Sequence, residues 1–321
     1  MKKILFITNM YPTDKYPFDG IFIKEQIEDL KKNHKFEHKI YLIESVHKSK
    51  LEYIKSIFEI RRNIKHYKPD IVHVHYGLSG LFLLFFKPKV KFFLTLHGSD
   101  FNNRGSNYLQ VWLSRRIISK VDTVIVQNWA MKKQALLYNS NVEVLTCGVD
   151  TEFFKPERSK KIDSEEKIIL FPSSPLRKVK NYPLFLQVVN ELKESYNYKI
   201  NIKNLENLPR IQVKKILNQS DCLLMTSITE GSPQVIKESL SCGLPVVSVP
   251  VGDVSEMIKE VPNCYISSSH NAKELARLVD KTLKNDKKEI REAFLIKKQY
   301  SSASISKKLA NFYNLDVNLD S

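Results

Sequence analysis

The 321-residue chain has no apolar run near the ~18–20 residues of a membrane-spanning helix. The longest obvious one, LFLLFF from Leu81 to Phe86, is far shorter. The start, MKKILFITNMYP, is basic but turns polar after a few apolar residues and has no small-residue cleavage site. It reads as a first strand rather than a signal peptide. Cysteine is sparse: Cys147, Cys222, Cys242 and Cys264 are scattered, with no C-x-x-C pair and no histidine at finger spacing. That pattern argues against structural zinc and for a reduced, cytoplasmic protein. The glycine-rich phosphate loops are missing too. Without G-x-G-x-x-G a nicotinamide or flavin enzyme is disfavoured, and G-x-x-x-x-G-K-[ST] is equally absent. There is no G-x-S-x-G elbow of a serine hydrolase and no D-x-D pair to hold a metal with a nucleoside diphosphate. A bound anion must therefore be held by helix ends and basic side chains.

What the chain has in excess is positive charge: 51 Lys and Arg against 35 Asp and Glu, a formal +16, leaning toward the first half. Nucleic acid, anionic lipid or a phosphorylated substrate would each be attracted, and simply solvated lysines would give the same balance. The apolar fraction of 42% and charged fraction of 27% are those of a globular protein, and the length suggests two domains.

Apolar, β-branched runs alternate with helical patterns through the first half: KILFIT, HKIYLIE, DIVHVH, VKFFLTL, DTVIVQ and VEVLT, separated by stretches such as IFIKEQIEDLKK and LEYIKSIFEIRRNIKHY. The polar segment PERSKKIDSEEK interrupts this. Then KIILFP, YKINI, DCLLMTS and PVVSV resume it. Such alternation predicts an α/β protein with doubly wound parallel sheets, whose ligands sit beyond the carboxyl ends of the strands. The reading is two Rossmann-like domains facing a central cleft. They span residues 1–155 (acceptor side) and 167–300 (nucleotide side), joined by a linker over 156–166. A final helix over 301–321 packs back on the first domain.

The most informative stretch is SITEGSPQVIKESLSCGLPVV, Ser227 to Val247. Ser232 is a suitable N-cap, and Pro233 suits the first helical position, where its missing N–H would be unbonded anyway. Gly243 and Pro245 stop the helix. Glu230 then precedes the helix and Glu238 lies within it. Between them is a helix amino terminus, a natural seat for a phosphate.

The segment TEGSPQVIKESLSCGLPVVSVPVGDVSEMI resembles the nucleotide-sugar signature of family 4 glycosyltransferases, which have the GT-B fold. The E-x7-E spacing of Glu230 and Glu238 and the following Gly-Leu-Pro-Val-Val keep that family's order. The amino-terminal βα unit with Gly20, HVHYGLSG, TLHGSDF and CGVDTEFFKP have family counterparts as well. The resemblance implies a retaining transferase that moves a sugar from a nucleoside diphosphate to an acceptor hydroxyl, with no metal or other cofactor. The leaving phosphate would accept the acceptor's proton. Glu238 would accept from the ribose diol and Glu230 from donor-sugar hydroxyls. Backbone amides of Gly231, Ser232, Pro233 and Gln234 would border sugar and diphosphate. Lys180 would bind phosphate, and His97 would face the reacting centre near Gly20. With Glu230, His97 forms the expected catalytic pair.

The family's arginine six residues before the lysine is Ser174 here, so either Arg177 replaces it or that charge is missing. A second departure is brevity: between Lys180 and Asp221 only one strand, YKINI, fits where two are usual. His73 and His75 share a strand face, and without a nearby carboxylate or cysteine a structural role is expected. The acceptor expected from charge and class is a glycan or polyprenyl-linked sugar of bacterial surface polysaccharide synthesis, reached at the inner face of the plasma membrane. The basic amphipathic helix from Lys50 to Lys68 reads as an ordinary surface helix, with membrane contact the alternative. A nucleotide-sugar epimerase of the same fold and a basic nucleic-acid-binding protein are the other readings. No nucleic-acid motif is present.

Overall fold

The computed structural model describes residues 1–98, 100–101, 108–157, 165–286 and 288–316. The chain divides into two compact units, one built from Met1–Cys147 with the segment from Ala303 onward, the other from Gly148–Ser302.

The first unit is a six-stranded parallel sheet. Its chain order is β1 (Lys2–Thr8), α1 (Ile21–Asn33), β2 (Phe36–Leu42), α2 (Glu52–Tyr67), β3 (Ile71–His75), a 3-10 segment Gly77–Leu84, β4 (Lys91–Thr95), α3 (Tyr108–Ile118), β5 (Thr123–Val126), α4 (Trp129–Ala135) and β6 (Val142–Val144). The strands lie in the order β2-β1-β3-β4-β5-β6. The inner strands are short apolar runs because both faces of the sheet are covered, whereas the edge strand β2, FEHKIYL, is only half buried. Ile4 and Phe6 face one layer with Ile23, Ile27 and Leu30 of α1, while Leu5 and Ile7 face the other with Ile57 and Ile60 of α2.

The second unit has a five-stranded parallel sheet. Its elements are β7 (Glu166–Phe171), α5 (Tyr182–Tyr196), β8 (Lys199–Asn204), α6 (Arg210–Gln219), β9 (Cys222–Met225), α7 (Gln234–Ser241), β10 (Val246–Ser248), α8 (Val254–Ile258), β11 (Tyr265–Ile266), α9 (Ala272–Lys284) and α10 (Ile290–Ile296). The order is β11-β10-β9-β7-β8. One strand, β8, stands between Lys180 and Asp221, at the sheet edge. The two-residue β11 was not expected: YI sits in a polar stretch with no alternation to mark it.

The boundary differs from the expected residue 155. Residues 148–155 belong to the second unit, because Val149 and Phe154 are buried in its core and the Val149 N–H donates to Tyr300 O at 2.9 Å. The expected linker lies partly outside the described residues, at 158–164, and its last residue, Glu166, already begins β7. The last helix, α11 (Ser302–Tyr313), lays Ile305, Leu309 and Tyr313 beside α1 on the first sheet. Lys2 Nζ donates to the carbonyls of Tyr313 (2.7 Å) and Asn314 (2.8 Å), a cation placed where a helix end leaves carbonyls unpaired.

Candidate functional site

Each sheet reverses its strand order once, between β1 and β3 and between β7 and β9. Loops diverge at such points and leave a crevice beyond the carboxyl ends of the strands. Gly20, after β1, and Arg177, Lys180 and Glu230, after β7 and β9, lie on loops that flank these points, and His97 lies one strand further on, after β4.

In the second unit, the loop after β7 carries Ser174, Arg177 and Lys180, and the loop after β9 carries Glu230 to Pro233. The two loops are tied by Ile228 N–H to Val179 O (2.9 Å) and by Thr226 Oγ1 to Lys180 O (3.0 Å). Lys180 is buried, and its Nζ donates to Glu230 Oε1. Arg177 is exposed on the same loop, its Nη1 3.5 Å from Ser173 Oγ. Gly231 is buried beneath Gly252, at φ +57°, where an added Cβ would stand 2.6 Å from the Gly231 carbonyl oxygen. Only glycine lets these two backbones approach so closely.

The amino end of α7 corrects one expectation. The helix begins at Gln234, with Pro233 as its N-cap residue and no side-chain cap. Ser232 Oγ instead donates to Asp253 Oδ2 at 2.8 Å, because a buried carboxylate competes for the hydroxyl. Burial pushes Asp253 up to about 6, against the opposing pull of Lys237 and the Ser232 hydrogen bond. Gln234 turns its amide Nε2 to the Gly148 carbonyl, and its buried Oε1 has no partner. At the other end Gly243, at φ +73°, closes the helix: Leu244 N–H reaches Ser239 O (2.8 Å) and Gly243 N–H reaches Leu240 O (3.0 Å). Glu238 is held inside α7 at 3% exposure and accepts from Arg210 Nη2 at 2.7 Å. Sequence reading passed over Arg210 and Asp253. Spacing alone does not relate Arg210 to a glutamate 28 positions on.

In the first unit, Gly20 caps α1 at φ +58°. An added Cβ there would lie 2.4 Å from Met10 O, so no other residue fits. The neighbouring Phe22 ring lies 5.1 Å from that of His97. Asp100, also missed, fixes the His97 loop: its carboxylate accepts from the N–H groups of His97 (3.0 Å), Gly98 (2.9 Å) and Gly77 (2.9 Å). Burial raises the Asp100 carboxyl, and these hydrogen bonds oppose the rise. Beneath His97, a row of imidazoles runs into the core. His75 Nδ1 lies 3.2 Å from His97 Nε2, and the His75 and His73 rings stack at 4.3 Å. His73 bridges Thr95 Oγ1 (2.7 Å) and the Tyr313 hydroxyl. A neutral ring satisfies both, one nitrogen donating and the other accepting. A hollow of about 280 Å³ opens nearby, lined among others by Tyr11, Tyr16, Asp19, Glu44 and His47, with the Tyr16 and His47 rings stacked at 3.4 Å.

Two parallel-sheet α/β units, each with its loop residues at a switch point, define a GT-B glycosyltransferase architecture. Solved structures agree in fold. Sucrose-phosphate synthase of Thermosynechococcus elongatus superposes with a TM-score of 0.75 at 13% identity over 98% of both chains. Anabaena HepE in complex with UDP-glucose gives 0.74 at 13% identity, over 98% of this chain and all (100%) of that one. The family model "Glycosyltransferase Family 4" matches residues 24–153, and "Glycosyl transferases group 1" matches residues 187–300. The chain belongs to the family 4 glycosyltransferases. Among curated relatives, TuaC of Bacillus subtilis, assigned to teichuronic acid biosynthesis, is 21% identical over 79% of this chain and 82% of its own. N-acetyl-alpha-D-glucosaminyl L-malate synthase of Bacillus anthracis is 25% identical over 61% of each. These relatives favour neither the epimerase nor the nucleic-acid alternative.

Proposed function

We propose that this glycosyltransferase moves a hexosyl or related sugar from a nucleoside diphosphate to a hydroxyl of a glycan or polyprenyl-linked acceptor, with retention of configuration, in surface polysaccharide synthesis. One observation carries the reading: Lys180 and Glu230 meet at the second sheet's switch point, directly before the α7 helix that holds Glu238. Lys180, Arg177 and the N–H groups of Gly231, Ser232 and Gln234 would meet the negative charge that builds on the departing diphosphate, so the reading needs no metal. Glu230 would orient the sugar, Glu238 the ribose, and His97 the reacting centre beside Gly20. The departing phosphate would take the acceptor's proton. TuaC's assignment to teichuronic acid biosynthesis and the UDP-sugar bound by HepE support the acceptor and donor classes. The test is thermal stabilisation by UDP, GDP, ADP and their sugars. A ligand at 100 times its Kd is expected to add about 2.7 kcal/mol, and Glu238→Ala to remove most of that gain. No shift with any nucleotide would sink the reading.

The acceptor half extends to an anionic membrane. No helix among the described residues is long and apolar enough to cross one. The outer face of α2, however, shows more than a solvated surface helix needs. Ile54 and Phe58 are 54% and 74% exposed, Leu51 at its start is 61% exposed, and Arg61, Arg62 and Lys65 continue outward. Exposed apolar side chains followed by the cations Arg61, Arg62 and Lys65 suit the boundary between acidic headgroups and acyl chains. The protein is expected to sediment with phosphatidylglycerol vesicles but not with phosphatidylcholine vesicles, and Phe58→Ser should weaken that binding several-fold. Equal binding to both lipids, or to neither, would remove the membrane from the proposal.

A further inference from the structure

The block CGVDTEFFKP, which resembles the family's sequence, does more than fill the core of the second unit. It supplies Phe154, 1% exposed in the core of the second unit. The Phe154 carbonyl is pinned by Arg291 Nη1 (2.9 Å) and by the Ser241 hydroxyl. Over the Phe154 ring, 4.6 Å from its centroid, lies the guanidinium of Arg210, which donates to Glu238.

Helix stability does not explain Arg210. It is the first residue of α6, where a cation has the wrong sign for the helix dipole. Only residues 205–209 separate it from β8, the shortened connection noted in the sequence. What its position does is bring a planar, always-charged fork to a carboxylate only 3% exposed. A buried carboxylate needs a hydrogen-bonded counter-charge, and a guanidinium stacked on a fixed ring presents one in a fixed orientation.

We infer that Arg210 is a positioning residue of the nucleotide site: resting on Phe154, it takes Glu238 Oε1 and leaves the other carboxylate oxygen to the ribose diol. The inference rests on the donor reading above and adds to it a residue and a ring that set the ribose contact.

The experiment measures binding of UDP, GDP and ADP, each beside its 2′,3′-dideoxy analogue, to the wild type and to Arg210→Ala. The wild type is expected to prefer the diol form of the nucleotide it binds. Arg210→Ala should weaken that form ten- to a hundredfold and change the dideoxy form less than twofold. In a Glu238→Gln background, adding Arg210→Ala should cost less than twofold more, since the residue acts through Glu238. Arg210→Lys, which keeps charge but not the fork, should fall between, and it carries the measurement if the alanine variant does not fold. Equal weakening of diol and dideoxy forms would make Arg210 a structural residue and overturn the inference, as would no weakening at all. Failure of the wild type to bind any of the three nucleotides is the distinct result that overturns the donor reading itself.

Discussion

On acidification from pH 7 to pH 5, the first unit is expected to lose about 2 kcal/mol of stability from His73 alone, with His75 adding to the loss. His73 and His75 are fully buried. Burial, with the neighbouring rings adding to it, drives His73 down to about 3 and His75 well below its ordinary value. In the unfolded chain these rings take protons below about 6.5. The unfolded state thus binds more protons throughout that window, and stability falls as pH falls. At pH 5 the His73 ring accounts for about 2 kcal/mol, a large share of the ~5–15 kcal/mol typical of a folded protein, and His75 acts in the same direction. Asp253 in the second unit works in the opposite direction. Its folded value of about 6 lies above the ordinary 3.8, so the folded form holds more protons between them, and that carboxyl favours folding as pH drops. Hydrogen exchange at pH 7, 6 and 5 should show the first unit opening before the second. His73→Gln and His75→Gln should each flatten the pH slope by about one proton. Unchanged slopes in both variants, or a second unit that opens first, would sink this account.

Lys180→Ala is expected to lower kcat by about 10²–10³, the usual loss when one donor to developing negative charge is removed from a water-poor site, or about 2.7–4 kcal/mol. The ammonium is nearly buried and paired with Glu230, so its removal also leaves that carboxylate without its cation. Lys180→Ala/Glu230→Gln separates the two effects: the double variant should regain melting temperature but not turnover. Exposed Arg177 faces screening by solvent, and Arg177→Ala should cost about tenfold or less. The measurement is single-turnover product formation with the donor that the melting assay selects. A kcat for Lys180→Ala within threefold of wild type would remove the lysine from the transition state.

Much of the architecture was legible because parallel strands buried on both faces are written as short apolar runs, and ten such runs became β1 to β10. The end of α7 was legible too, since a left-handed residue after a helix favours glycine. The start of α7 was not. Ser232 has the local chemistry of a cap, but the carboxylate that captures its hydroxyl lies 21 residues away. The same limit hid Arg210. It also hid the meaning of the paired histidines, since the hydroxyl that meets His73 belongs to a tyrosine 240 residues later. Period and turn chemistry report on neighbours along the chain, whereas polar contacts in a core join residues from its far ends.

That last separation bears on how the protein is made. A nascent chain leaving the ribosome has all six strands of the first sheet once Val144 has emerged. The layer over one side of that sheet, however, is finished only by Ile305, Leu309 and Tyr313. Through the synthesis of the intervening 148–302, His73 has no phenol to meet and Phe93 lacks the ring that comes to lie 5.1 Å away. The second unit draws on one continuous segment and can close as soon as that segment is out. The order of maturation therefore inverts the order of translation: the unit begun first is completed last, and a chain halted before Tyr313 would leave an apolar strip of its first sheet open to chaperones and proteases.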